Sequence, residues 1–525
     1  MRRANQTLIG DMLCKTTKFF PNKTAVIYGD SNITYKELNE RVLRFANALF
    51  NMGVGNGDRV AVLQDDSIEV IELYFAIPML GAIYVPLNIK LVSREIVTIL
   101  NDAEASTLIF GANYSGEIDS IILKLNHLKN YICIGDNPIF ATNYEELIKN
   151  SSSIEKEFEV DDDDAAYLIY TSGTTGSPKG ALLTHRNMFS NCMACLNVLS
   201  IDHDDVFLNL LPLYYMGGLG YVLPRILVGA TIIIQGKFIP SIVLQAIEAR
   251  NITSTFMVPA MVIFILESPD RSKYRYSNLK TVGYSGAPMP VEVLKKAMKM
   301  FQCDFVQIYG LTELSCACIT YSSPKDHILD GSPKVVEKLE SVGRISPTAD
   351  FKILDKDGYD VRHGEVGEIV VRGQLVCKGY WKQPEMTAKT FEQDWFHTGD
   401  LGKLDDDSYL YLVDRNKDMI ISGGENIYSK EIEEVLYKHP AVLEAAVIGV
   451  PDIKWGEAVK AILVQKPGMS VTEEEIIEFC KGQLARFKKV RSVEFVENLP
   501  RTYSGKIQKN VLREIYWKGY EKRIH

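Results

Sequence analysis

The stretch from Ala165 to Thr184 constrains this chain more than any other: an apolar run over 165–170, then Thr171-Ser-Gly-Thr-Thr-Gly-Ser-Pro-Lys179-Gly180, then Ala181-Leu-Leu-Thr184. Small hydroxylated residues and glycines crowd around one lysine between two apolar runs, which reads as strand, loop, strand. Glycines let the main chain approach a ligand and turn its N–H groups toward an anion. Ser and Thr add short donors, and Lys179 adds charge. The segment is therefore suited to phosphate, although a solvated Ser/Gly loop has the same composition. The strict phosphate-loop pattern is not met. That pattern needs Gly-Lys-Ser/Thr entering a helix directly, whereas Pro178 and Gly180 flank the lysine here.

A chain of 525 residues exceeds what one hydrophobic core organises, so two or more domains are expected, and 46% hydrophobic residues supply the cores. A net charge of −9 argues against a sequence-independent grip on nucleic acid, which needs clustered positive charge. The carboxyl-terminal end departs from this balance: over 481–525, twelve Lys and Arg stand against four Glu. Such a run either meets polyanions or is a solvated face. Nine scattered cysteines point to reduced thiols and a cytoplasmic setting. Cys192 and Cys195 form a CxxC in a helix-like stretch without a second pair, which reads as packing rather than zinc. No apolar stretch reaches the ~20 residues that a bilayer span requires, and peripheral membrane contact is the most that this composition allows.

Helix and strand signals alternate to about residue 340, beginning with a helix after Thr34 and a buried strand at 60–63. Between about 341 and 412 short strands with glycine turns suggest a small β-rich subdomain. The tail reads as a separate α+β unit. Ser429 is positioned to cap a helix carrying Ile432, Val435 and Leu436, strands follow at 442–450 and 458–465, and Thr472 with Glu475 forms a capping box for a helix reaching about Arg486. A last strand is expected near 491–496, and the join between the units falls near 414–417.

Five segments taken in order resemble the adenylate-forming superfamily of acyl-CoA synthetases, luciferases and peptide-synthetase adenylation domains. They are Tyr170 to Gly180, Tyr309-Gly-Leu-Thr312-Glu313, Thr398-Gly-Asp400, Asp414-Arg-Asn-Lys-Asp-Met-Ile-Ile-Ser-Gly-Gly-Glu-Asn426 and Pro500-Arg-Thr-Tyr-Ser-Gly-Lys506. The resemblance implies a large α/β amino-terminal domain, 1–414, with two α/β subdomains and a small β-barrel-like subdomain. It also implies a small mobile α+β carboxyl-terminal domain, 415–525, turning about Lys417. The implied reaction joins a carboxylic acid to AMP at the expense of ATP, then passes the acyl group to CoA.

The same resemblance implies the site. Thr171, Ser172, Gly173, Thr174, Thr175 and Lys179 would hold the β- and γ-phosphates. Thr312 would sit beside the α-phosphate, and Glu313 would help coordinate Mg²⁺. The adenine would lie near Gly286, Ala287, Pro288, Gln307, Tyr309 and Gly310, and Asp400 with Arg415 would hold the ribose. Lys506 would meet the substrate carboxylate and an α-phosphate oxygen during adenylation. Gly423 and Gly424 would serve thioester formation, and Trp455 the nucleotide end of CoA.

The expected acyl pocket comprises Tyr214, Tyr215, Met216, Met257, Val258, Tyr284 and Cys316, which suits a fatty or an aromatic acid. Tyr215 stands where the family often carries histidine and cannot supply an imidazolium. No acidic residue lies between Leu211 and Gly220, which disfavours an amino-acid substrate. The region around Leu484-Ala-Arg-Phe487 resembles medium- and long-chain fatty acyl-CoA ligases. An aryl acid, or transfer to a carrier-protein phosphopantetheine, is the alternative, and the chain is compatible with a monomer or a homodimer.

Overall fold

The computed structural model describes residues 8–171, 178–316, 318–415, 417–502, 506–518 and 520. A seven-stranded sheet has the order 142–143, 130–134, 107–111, 59–63, 83–86, 165–171, 179–184, and only its last pair is antiparallel. A nine-stranded sheet has the order 344–345, 320–322, 304–309, 281–284, 254–257, 206–209, 231–234, 24–28, 31–34, parallel inside and antiparallel at both edges. One apolar core draws on strands of both sheets and on the helices Ile9–Phe19, Tyr35–Asn51, Ile68–Met79, His185–Leu199 and Met216–Val228. Ile68–Met79 shows the logic: every residue from Val70 to Met79 is buried, as a helix covered on all sides requires. The helices Ser93–Asp102 and Ser115–Ile121 cover the outer face of the first sheet. Pro240–Ala249, Pro259–Glu267 and Val291–Phe301 cover the outer face of the second.

The β-rich texture beyond 340 becomes a five-stranded antiparallel sheet of Asp350–Leu354, Gly367–Arg372, Phe391–Glu392, Trp395–Leu404 and Leu410–Arg415. It ends with Arg415 paired to Asp400. From Ile420 the chain enters a different sheet, built on the long hairpin of Val442–Asp452 and Gly456–Gln465 with three helices packed around it. Here two expectations shift. Ser429 is the first helical residue rather than the cap, and the Asp414 carboxylate, from the last strand of the preceding sheet, accepts from both its N–H (2.6 Å) and its hydroxyl (2.8 Å). The Thr472–Glu475 capping box forms as expected, but its helix stops at Lys481, and a separate short turn occupies Arg486–Lys488. Among the described residues no helix is long and apolar enough to cross a membrane.

A buried carboxylate and a partly buried one fasten this scaffold. Asp205 lies against Arg225 (3.1 Å), Ser254 (2.8 Å) and Thr253 (2.5 Å). Arg225 in turn donates to the Tyr221 carbonyl at 2.8 Å and stacks on Phe207 at 3.5 Å. The cluster pins the helix Met216–Val228 to the nine-stranded sheet. Asp66 accepts the Leu213 N–H at 2.8 Å, and the Tyr74 hydroxyl donates to the Leu213 carbonyl. These bonds hold the turn 212–218, whose closure needs glycine: a Cβ on Gly218 would fall 2.4 Å from the Pro212 carbonyl oxygen. Burial pushes the Asp66 carboxyl up to about 6.

Asp205→Ala would leave the Arg225 guanidinium buried and uncompensated, at an expected cost of about 3–5 kcal/mol read from denaturant unfolding. For Asp66 the folded pKa lies above the unfolded value. Its contribution to stability is therefore full below pH 4 and lost as pH rises through about 6. Asp66→Asn keeps the acceptor for Leu213. It is expected to stabilise the protein by about 1–3 kcal/mol at pH 8, the gain shrinking toward pH 4. A gain independent of pH in thermal melts would contradict this.

Candidate active site

Thr171 and Lys179 face each other at the end of an antiparallel hairpin, so the sequence expectation of strand, loop, strand holds. Ser172, Gly173, Thr174 and Thr175 lie outside the described residues. The free edge of the strand Lys179–Thr184 is taken by the segment 378–381: Leu182 donates to the Gly379 carbonyl at 3.0 Å, and Trp381 to that of Gly180 at 2.8 Å. This brings Tyr380 beside the lysine, whose amine is 5.6 Å from the ring centroid. The Tyr380 hydroxyl donates to Glu313 Oε1 at 3.0 Å. Tyr380 was not foreseen from the sequence; the signal was Lys378-Gly-Tyr-Trp ahead of the Pro384 helix start.

Thr312 and Glu313 open a single turn, Thr312–Leu314, after the strand Asp304–Tyr309. Ser315 and Cys316 then both adopt left-handed conformations, at φ 59° and 58°. Two such residues cost ~1–2 kcal/mol each. They are held by the Ser315 hydroxyl on the Leu375 carbonyl (2.7 Å) and the Cys316 N–H on the Leu311 carbonyl (3.0 Å). The reversal brings Cys316 back toward the helix Met216–Val228, where a Cβ on Gly220 would sit 3.1 Å from its own Cβ.

Asp400 is buried. Its Oδ2 accepts from the Tyr309 hydroxyl at 2.7 Å, and its Oδ1 faces Arg415 Nε at 3.1 Å. A carboxylate has about four lone-pair sites, so acceptor capacity remains for further hydroxyls. Asp400 in turn raises the Arg415 pKa. Gly310 follows Tyr309 at the carboxyl end of its strand. Gly286, at φ +91°, with Ala287 and Pro288, leaves the carboxyl end of the neighbouring strand Thr281–Tyr284. Gln307 is buried and lies directly opposite Tyr284 in the register of this pair. Crevices at the carboxyl ends of parallel strands are where α/β sheets take ligands.

Lys506 reaches this cleft from the tail unit. Arg501 and Ile507 bridge, Thr502 donates to the Lys506 carbonyl at 2.7 Å, and the Lys506 N–H returns to the Thr502 hydroxyl at 3.1 Å. The lysine is half-buried in this cleft. Burial and then Arg415 lower its pKa, while Asp400, Cys316 and Glu313 oppose them. Reciprocally, burial holds the Cys316 thiol at about 12, with Lys506 pulling it down. The structure thus brings together Lys506, Arg415, Asp400, Glu313, Tyr309 and Cys316.

Lys417 lies between the sheets. Its carbonyl accepts from Arg513 at 2.5 Å, Arg513 also pairs with Asp418, and burial lowers the lysine's pKa. Gly423 and Gly424 are exposed, at φ +63° and +86°. A Cβ on Gly423 would stand 2.7 Å from Trp455 Cε3, so only glycine fits against that ring. Arg491 and Lys454 each lie 4.9 Å from the Trp455 ring.

The expected acyl pocket divides. Tyr214 packs on Tyr215 (4.7 Å between rings), whose hydroxyl accepts from Asn88 at 2.9 Å. Met216, Val258 and Cys316 join the same central core. Met257 and Tyr284 do not: strand alternation puts them in the core on the far face of the nine-stranded sheet. Phe256, one residue earlier, points the other way and stacks on Tyr221 at 3.7 Å. Asp66 and Asn88 were missed because each meets this region across a long sequence separation, and Phe256 because strand alternation, not motif position, decides which face it takes.

Comparison with known proteins agrees with this geometry. Residues 14–381 match the family described as AMP-binding enzyme, and 431–506 match its AMP-binding enzyme C-terminal domain. Feruloyl-CoA synthase from an Amycolatopsis species is 38% identical over 506 residues, covering 96% of this chain and 98% of that protein. Long-chain-fatty-acid–CoA ligase FadD13 of Mycobacterium tuberculosis is 36% identical over 516 residues, covering 97% and 98%. The crystal structure of the anthranilate CoA ligase AuaEII with anthranoyl-AMP superimposes with a TM-score of 0.90 at 28% identity, covering 97% of each chain. Matched over both of its units and aligned nearly end to end with such relatives, the chain belongs to the AMP-binding, adenylate-forming enzymes.

Proposed function

We propose that this chain is an ATP-dependent carboxylic acid:CoA ligase acting through an acyl-AMP intermediate. The observation that carries this reading is Lys506: an amine from the tail unit stands within electrostatic reach of Arg415, Asp400, Glu313 and Cys316 of the larger body. A carboxylate and a triphosphate repel, so cations must gather where they meet. Lys506 takes that place, with Lys179 at the hairpin and Arg415 beside Asp400.

In the first step a carboxylate oxygen of the acid attacks the α-phosphorus of ATP and the bond to pyrophosphate breaks. Lys506 screens both anions, Thr312 donates beside the α-phosphate, and Asp400 accepts from the ribose hydroxyls. Glu313 is an anionic oxygen donor oriented by Tyr380, which fits a hard dication. Mg²⁺ bound there would offset charge on the departing pyrophosphate. In the second step the CoA sulfur attacks the acyl carbon and AMP leaves. Gly423 and Gly424 are exposed while Lys506 occupies the cleft, which supports rotation about Lys417 between the steps.

For the acid, close packing favours a compact aryl substrate over a long acyl chain. A methyl on Gly220 would lie 3.1 Å from Cys316 Cβ and 3.4 Å from Met216 Cε, and the Tyr221–Phe256 stack stands beside it. Related proteins named for feruloyl and anthraniloyl substrates suit this reading, and one named for long-chain acids is its rival.

Purified protein with ATP, Mg²⁺, CoA and an acid panel is expected to yield pyrophosphate and acyl-CoA, fastest with aryl acids. Pyrophosphate without thioester would count against the CoA acceptor. A preference for long-chain acids would overturn only the acid assignment. Lys506→Ala is expected to slow adenylation about 10²- to 10³-fold while leaving thioester formation from supplied acyl-AMP nearly intact. Equal loss in both half-reactions would refute its role.

A further inference from the structure

Behind Gln307 lies a buried chain of hydrogen bonds whose protons can be counted. His327 Nδ1 is 2.8 Å from the Ser323 carbonyl, His327 Nε2 is 2.9 Å from the Tyr284 hydroxyl, and that hydroxyl is 3.2 Å from the Gln307 side-chain amide. All three side chains are buried, Tyr284 at 1% exposure and both His327 and Gln307 at 7%. A carbonyl oxygen only accepts, so Nδ1 carries the imidazole hydrogen. Burial keeps the ring neutral against the opposing pull of Asp326 and Asp304, so Nε2 is an acceptor. The Tyr284 hydroxyl has one hydrogen, and Nε2 takes it. What Tyr284 then offers Gln307 is a lone pair, and the amide atom facing it must be the NH₂ group. Oxygen and nitrogen of an amide are assigned by such a network rather than by shape.

We propose that His327 and Tyr284 are positioning residues that lock the Gln307 amide with its carbonyl oxygen turned away from Tyr284, presenting an acceptor to the base of the nucleotide. The inference rests on the reading that places the adenine beside Gln307. An acceptor there suits the 6-amino group of adenine and opposes the 6-oxo group of hypoxanthine. The backbone carbonyl of Ser323 thus sets nucleobase choice through three side chains, none of which needs to change charge. Without Nε2, the Tyr284 hydrogen becomes free to turn to Gln307. The amide then reverses and offers a donor, which suits the 6-oxo base.

The test compares kcat/KM for ATP and for ITP in pyrophosphate release, with a good acid and CoA. Wild type is expected to prefer ATP. In His327→Leu the ATP:ITP ratio should fall at least about tenfold, chiefly through KM for ATP with kcat changed far less, as expected for one misdirected hydrogen bond. Tyr284→Phe removes the lone pair that holds the NH₂ group and should relax the ratio by several-fold. It retains the buried ring, and it carries the test alone if His327→Leu does not fold. Thermal melts establish that each variant is native. An unchanged ratio in native variants, or equal loss with both nucleotides, overturns the relay. Gln307→Ala separates the two readings. If it leaves the ratio unchanged, the base does not lie at Gln307. If it abolishes the preference while Tyr284→Phe and His327→Leu retain it, the nucleotide placement stands and the relay is refuted.

Discussion

Two cations are held together in one partly desolvated cleft, and the remaining architecture makes that arrangement tolerable. Burial and then the opposing charge of Arg415 lower the Lys506 pKa, and Asp400 counters this while pairing with Arg415 at 3.1 Å. Like charges in a medium of reduced dielectric repel by several kcal/mol unless an anion shares the space. One carboxylate is already committed to Arg415 and Tyr309, and the other to Tyr380. With Lys179 beside Tyr380 as a third cation, positive charge exceeds these two carboxylates by one, and that excess is matched to an added polyanion, so the closed arrangement gains most when one is bound. A ligand of this charge would favour closure without any dedicated latch.

Ties between the two units include a set close to their join. Asp414 holds Ser429 and Lys430 donates to the Leu412 carbonyl at 2.9 Å, while within the tail unit Arg513 braces Lys417 and Asp418 beside the join. Lys509 adds a second layer, pairing with Glu433 at 2.6 Å and donating to Ser429 at 2.6 Å. Bonds near a pivot move little when a body turns about it, whereas the tip of a hairpin sweeps far. Lys506 sits on such a hairpin. The layout therefore combines a fastened root with a reacting group at the end of a lever, which is the mechanical requirement of the proposed two-step cycle.

Much of this was legible in the sequence because it is local. A helix after Thr34 and a capping box at Thr472 marked helix starts, glycine-separated strands announced the third sheet, and the apolar runs around the phosphate-type loop became a hairpin. What escaped is non-local. Ser429 was expected to cap its helix, but the acceptor came from Asp414, fifteen residues earlier in another sheet. Met257 and Tyr284 were assigned to the acyl pocket by their motif neighbourhood. Which face a strand residue takes depends on register with strands distant in sequence, and the pleat sent both to the opposite core. Asp66, Asn88 and Tyr380 reach the site from 67–147 residues away, beyond any periodicity signal.

The exposure of Gly423 and Gly424 bears on how one cleft can serve two chemistries. Their segment, Lys506 and Trp455 belong to one packed unit: Gly423 donates to the Trp455 carbonyl at 2.7 Å, and a side chain at Gly423 would collide with the indole. A body that rigid cannot present both surfaces to the same place at once. With the lysine enclosed, the glycine face is in solvent. Bringing that face inward must withdraw the lysine, and with it the positive charge that suits a triphosphate. On the proposed roles, the order of steps would then follow from geometry, since the thiol's approach would become available only as the cation proposed to assist adenylation departs.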